Sequence, residues 1–156
     1  LIVSVLFVSL FVWVVVMIVA TAAFMMLCVS LLFNLDINNL MPSMPYYVSL
    51  IFGIVSLALA VLTSVGTIYF WFFSRQLLRS YSRWHRNSLA HAGGEAILPG
   101  IAAHPQIPAV LNRRLRNVAL LALPIFVIAS LSGFIVASLT AGHFEFWHVW
   151  GWFGYP

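Results

Sequence analysis

Three runs of this chain, Leu1–Phe33, Tyr46–Phe73 and Val118–Gly142, contain no Asp, Glu, Lys, Arg or His. The hydrocarbon core of a bilayer is about 30 Å thick and takes about 20 apolar helical residues to cross. Each run meets that length. An ionisable side chain near the centre of a spanning helix costs about 2.5–3.5 kcal/mol on insertion, so its absence from all three runs is what lipid-facing helices need. The β-branched stretch at 12–19 (VWVVVMIV) has strand propensity, but an isolated strand in lipid leaves its backbone groups unpaired, and helix wins. Only 6% of the residues are charged and 63% are hydrophobic, against about 25% charged in a soluble domain.

The seven basic residues are all arginines, Arg75, Arg79, Arg83, Arg86, Arg113, Arg114 and Arg116. They fall in one polar stretch between the second and third runs. Basic residues in short loops stay on the cytoplasmic side of a membrane, so residues 74–116 are expected inside the cell. Asn34–Pro45, with Asp36 and no basic residue, and the tail 143–156 are then external. All the positive charge behind the net +4 comes from this one stretch. No motif that reads bases accompanies it, which argues against nucleic acid as a partner and for anionic lipid headgroups.

Along the chain, Leu1–Phe33 is about 50 Å long as a helix, too long for one perpendicular crossing and too short for two. It is expected to tilt or to project from the bilayer. The chain starts inside this apolar run, with no charged leader and no cleavage site, and a preceding segment is expected. Tyr46 and Tyr47 at one end of the second span, and Tyr69–Phe73 at the other, read as interfacial aromatic belts.

Beyond Phe73, the four arginines Arg75, Arg79, Arg83 and Arg86 fall within an arc of about 80°, with Leu77, Leu78, Tyr81 and Trp84 opposite. This predicts a cytoplasmic juxtamembrane amphipathic helix that continues the second span and bends into the interface. Its arginines would reach lipid phosphates. Gly93 and Gly94 stop that helix, and Pro99, Pro105 and Pro108 keep 91–108 a loop. Within it, 104–108 (HPQIP) reads as a linker. Residues 112–117 (NRRLRN) anchor the third span, near whose start Pro124 is expected to kink the helix. The fold expected is an all-α membrane protein, a single domain over 1–156 with three transmembrane helices and the amphipathic segment.

Residues able to carry chemistry are sparse. The histidines lie outside the three runs, so none is placed to ligate a haem between helices. His143, Glu145 and His148 share the aromatic tail, where incidental interfacial residues are the simpler reading than a metal site. His85 lacks the adjacent acid and the nucleotide-binding domain of a phosphoacceptor histidine. Cys28 is a small hydrophobe in an apolar run. Ion pumps and intramembrane proteases need ionisable groups within the spans. No catalytic residue, cofactor or metal site is assigned.

Packing leaves a clearer signal. In the third span Ala129, Gly133, Ala137 and Ala141 recur every four residues, a spacing that lets helix backbones approach closely. Ser56, Ala60 and Ser64, and Ser49 with Gly53, do the same in the second. The third-span stripe is expected to make the main helix contact, within the chain or with a second copy in a homo-oligomer.

In layout the chain resembles the membrane portion of the HAAS-domain proteins, bacterial membrane proteins associated with PadR-type regulators. The resemblance rests on the long Val/Leu/Ala-rich first run, on the span ending in Tyr69–Phe73 and followed by SRQLLRSYSRWHR (74–86), and on the third span entered through NRRLRN with an aromatic tail behind it. It implies a non-catalytic bacterial membrane protein of signalling or envelope regulation. The alternative is a membrane subunit of a multi-component transport system.

Overall fold

The structure, a computed structural model, describes residues 2–35, 43–94, 98–102 and 104–151. Among these residues there are three long helices and no strand: α1 (Ile2–Phe33), α2 (Tyr46–Gly93) and α3 (Ala109–Ala141), followed by a short 3-10 turn at Phe146–Val149. All three long helices are apolar enough to cross a membrane, as in a multi-pass integral membrane protein. Asp36 and Glu95 lie outside the described residues.

Each helix ends where the backbone chemistry directs. Asn34 takes a φ of 50° and Leu35 donates its N–H to the Ser30 carbonyl at 2.9 Å, the closing bond of a Schellman ending. Gly94 (φ 72°) closes α2 with its N–H on the Ala90 carbonyl, and Gly142 (φ 73°) closes α3. Both glycines sit in the left-handed region that other residues enter at a cost.

Two elements differ from expectation. The amphipathic segment is no separate helix: α2 runs unbroken for 48 residues, about 72 Å, and carries the arginines beyond the belt at Tyr69–Phe73. Nothing between Gly66 and Gly93 breaks it, since this stretch contains no Gly or Pro. The Tyr81 ring meets the Phe7 ring of α1 edge-on at 5.3 Å, so α1 still accompanies α2 well into the segment. In turn, α3 begins at Ala109 and not at Val118, directly after Pro108. Proline ends a helix that precedes it but is tolerated at the start of the next, so the helix boundary precedes the hydropathy boundary. The helix also continues through Pro124.

Among the described residues α1 and α3 both pack on α2 and not on one another, which makes a layer with α2 between its two neighbours. The accessible surface is 10590 Å², against about 7,900 Å² for a compact soluble monomer of this mass. Exposed apolar helix surface of the kind lipid covers contributes to the excess.

The α1–α2 seam is built on alternating steps of three and four. Phe7, Leu10, Val14, Met17, Thr21, Phe24, Cys28 and Leu31 turn toward α2, while Val5, Val8, Phe11, Val12, Val15 and Val16 stay exposed. This 3.5-residue period is that of helices wound on one another. On α2, Ser49, Gly53, Ser56 and Ala60 are buried at the same spacing. A Cβ at Gly53 would stand 2.8 Å from Leu32 Cδ2, so the glycine permits the close approach.

Several hydroxyls in the spans find partners within the layer, although Ser30 Oγ and Ser130 Oγ are buried without one among the described residues. Ser49 Oγ donates to the Leu31 carbonyl across the seam at 2.7 Å, and Thr21 Oγ1 donates to Thr63 Oγ1 at 3.1 Å. Ser56, Ser64, Thr67, Ser132 and Thr140 each donate to the carbonyl one turn earlier in their own helix. Such bonds matter where water cannot satisfy the group.

Candidate anion-binding cleft at the arginine end

The α2–α3 contact sets where the polar connection returns. Gly133 and Ala137 are buried, while Ala129 and Ala141 are half-buried. A Cβ at Gly133 would lie 3.2 Å from Ile51 Cγ2 and 3.9 Å from the Phe52 ring. The small-residue stripe therefore faces α2 within the chain. Ala122, also buried, lies about two turns earlier; its spacing of seven from Ala129 was a legible signal. At the arginine end, Tyr69 OH donates to Asn112 Oδ1 at 2.7 Å, which fixes the start of α3 beside Tyr69.

α2 continues far beyond that level, so the chain must fold back along it to reach Ala109. Two side-chain amides hold the return. Asn87 Nδ2 donates to the Leu98 carbonyl at 2.8 Å and Asn87 Oδ1 accepts the Leu98 N–H at 3.2 Å. Buried Gln76 donates its Nε2 to the Ala102 carbonyl at 2.5 Å. Gln76 and Asn87 are eleven residues apart, about three turns, and so lie on one line of the helix.

Between this loop and α2 lies a cleft of about 760 Å³ lined by Gln76, Leu78, Arg79, Ser82, Arg83, Arg86, Ile101 and Gln106. Three of the four arginines of the expected headgroup face thus share one concavity. Arg75 is exposed and stands outside it, as do Arg113, Arg114 and Arg116 on the first turns of α3. Tyr81, on the side of α2 about 170° from the cleft arginines, is taken up by Phe7 of α1. Trp84 remains 62% exposed. The apolar side of the segment is therefore shared between α1 and the surroundings.

No acidic side chain among the described residues lines the cleft. Among the described residues no carboxylate pairs with an arginine; the single ion pair, Glu145 with His148 at 3.0 Å, is at the opposite end of the layer. Arg79 and Arg83 are four apart and Arg83 and Arg86 three apart, so neighbouring like charges cost about 0.2–0.5 kcal/mol per pair in helix stability. The helix dipole offers little in return, because it acts within about the last turn and Arg86 lies seven residues before Gly93.

At the far end, the tail folds back onto the layer. Val149 is fully buried with Val48 and Ala137, and Met44, Phe52, Phe146 and Trp150 pack around them. Gly151 donates its N–H to the Ser43 carbonyl at 2.8 Å. The described part of the tail is therefore a cap on α2 and α3, a contact the aromatic composition alone did not disclose. His143 and His148 stack edge-on with ring centres 6.2 Å apart, but among the described residues no three His, Cys, Asp or Glu side chains stand close enough to share a metal ion.

Comparison of the chain with family models, with curated proteins and with solved structures finds no match.

Proposed function

We propose that the chain is a non-catalytic bacterial integral membrane protein of signalling or envelope regulation, with its arginine end in the cytoplasm and its aromatic cap outside. The observation that carries this reading is the polarity of the layer. All seven arginines stand beyond the apolar spans at one end, and the spans hold no Asp, Glu, Lys, Arg or His. Such an arrangement orients a membrane protein and supplies no proton relay or ion path. The layout resemblance to HAAS-domain proteins supports the regulatory role. Arg75 and the neighbouring arginines meet the anionic headgroups of the inner leaflet, at about 1 kcal/mol for each residue near the surface.

The alternative, a subunit of a multi-component transport system, draws on the two uncovered apolar faces of the layer, which suit a larger helical assembly. Deleting the gene and restoring it separates the two. Altered envelope-stress transcripts, restored by the wild-type chain while labelled-solute uptake stays unchanged, are expected. Loss of uptake of one solute with unchanged transcripts would contradict the regulatory reading and favour transport.

A further inference from the structure

We propose that the cleft between α2 and the returning loop is a binding site for a ligand bearing two phosphate groups, clasped by Arg79, Arg83 and Arg86. The inference deepens the reading that the arginine face meets phosphates, and adds a defined pocket and a preference. Arg79 and Arg86 are separated by about 10 Å along the helix with Arg83 between them, so their guanidinium groups span more than one phosphate. Each guanidinium presents a planar fork of donors that matches phosphate oxygens. Ser82 and Gln106 add neutral hydrogen-bond donors on the same walls, and Leu78 and Ile101 an apolar patch for a glycerol or acyl stem.

The amides of Gln76 and Asn87 hold the loop in place before any ligand arrives, so little ordering cost falls on binding. A single exposed basic face would treat all anionic surfaces alike. An open cleft with three cations and no carboxylate among the described residues discriminates by charge number and spacing.

The same chemistry is offered by a lipid with two phosphodiesters and by a soluble diphosphate, and the test separates them. The full chain in neutral detergent is titrated with cardiolipin, with phosphatidylglycerol and with inorganic pyrophosphate, and bound ligand is read by native mass spectrometry. At least one two-phosphate ligand should bind more tightly than phosphatidylglycerol. Arg83→Gln with Arg86→Gln should weaken it about 30-fold, at about 1 kcal/mol per arginine. Arg113→Gln with Arg114→Gln, the same charge change outside the cleft, should leave it within about threefold of wild type, a loss under about 0.7 kcal/mol.

Cardiolipin binding alone assigns a lipid ligand, and pyrophosphate binding alone a soluble one. Equal affinity for one and two phosphates, or equal loss in both double variants, would overturn the cleft while leaving general headgroup contact intact. No binding of any anion would overturn both. The substituted arginines line the surface, and an unchanged unfolding temperature verifies that the fold persists.

Discussion

Replacing Gly133 with leucine tests the layer at a close α2–α3 contact. A Cβ there already meets Ile51 Cγ2 at 3.2 Å and the Phe52 ring at 3.9 Å. Gly133→Ala asks Ile51 to give by a few tenths of an ångström, and should cost under about 1 kcal/mol. Gly133→Leu adds three further heavy atoms in space those two side chains fill. Overpacking of this kind costs about 1–3 kcal/mol, and a value near 2 kcal/mol lowers the unfolding temperature by about 4–8 °C for a chain of this size. The control is Ser132→Leu, about 100° round the helix, where the side chain is exposed and donates only to its own helix at the Ile128 carbonyl. Thermal unfolding of the three purified variants in detergent supplies the measurement. Equal midpoints for Gly133→Leu and Ser132→Leu would refute the placement of this face against α2.

At the aromatic end, a Cβ on Gly151 would press on Ser43 Oγ and lie 3.2 Å from the Ser43 carbonyl oxygen. Gly151→Ala should release the cap, with faster hydrogen exchange over 146–151 and a loss of about 1–2 kcal/mol in stability; unchanged exchange would count against the cap. At the arginine end, Asn87→Leu removes both bonds to Leu98. Exchange of the Leu98 amide should accelerate about fivefold, for about 1 kcal/mol of lost protection, while α1 amides keep their rates. No change at Leu98 would mean the loop is held by something else.

The three spans were legible because lipid imposes one requirement, length without charge, that each run meets on its own. The stop at Gly94 was legible for a similar reason, since a single residue with φ of 72° ends a helix without help from the rest of the fold. The α1–α2 seam was not. α1 is apolar on every side, so no contrast marks Val14 or Cys28 as inward and Val15 or Val16 as outward; α2 alone decides. The start of α3 was hidden because hydropathy reports the edge of the lipid, not the edge of the helix, and Arg113–Arg116 are helical and polar at once.

The cleft shows the same division. Periodicity alone puts Arg79, Arg83 and Arg86 on one face. Turning that face into a pocket needs a loop held across it, and the amides responsible, Gln76 and Asn87, carry no charge and belong to no motif. Their shared line, eleven residues apart beside the arginine arc, was the available hint. Gln106, in a segment that reads as a linker, became a wall of the site through that same return of the chain.

Orientation is the claim on which the functional reading rests, and impermeant thiol labelling in intact cells tests it most directly. Ser88 is exposed on the arginine segment and Phe144 is 88% exposed at the capped end. The native Cys28 is buried in the α1–α2 seam at 3% exposure and is replaced by alanine in both variants. Phe144→Cys should label in intact cells, and Ser88→Cys only after permeabilisation. Labelling of Ser88→Cys in intact cells, with Phe144→Cys protected until permeabilisation, would invert the protein in its membrane and contradict the cytoplasmic placement of the arginine cleft.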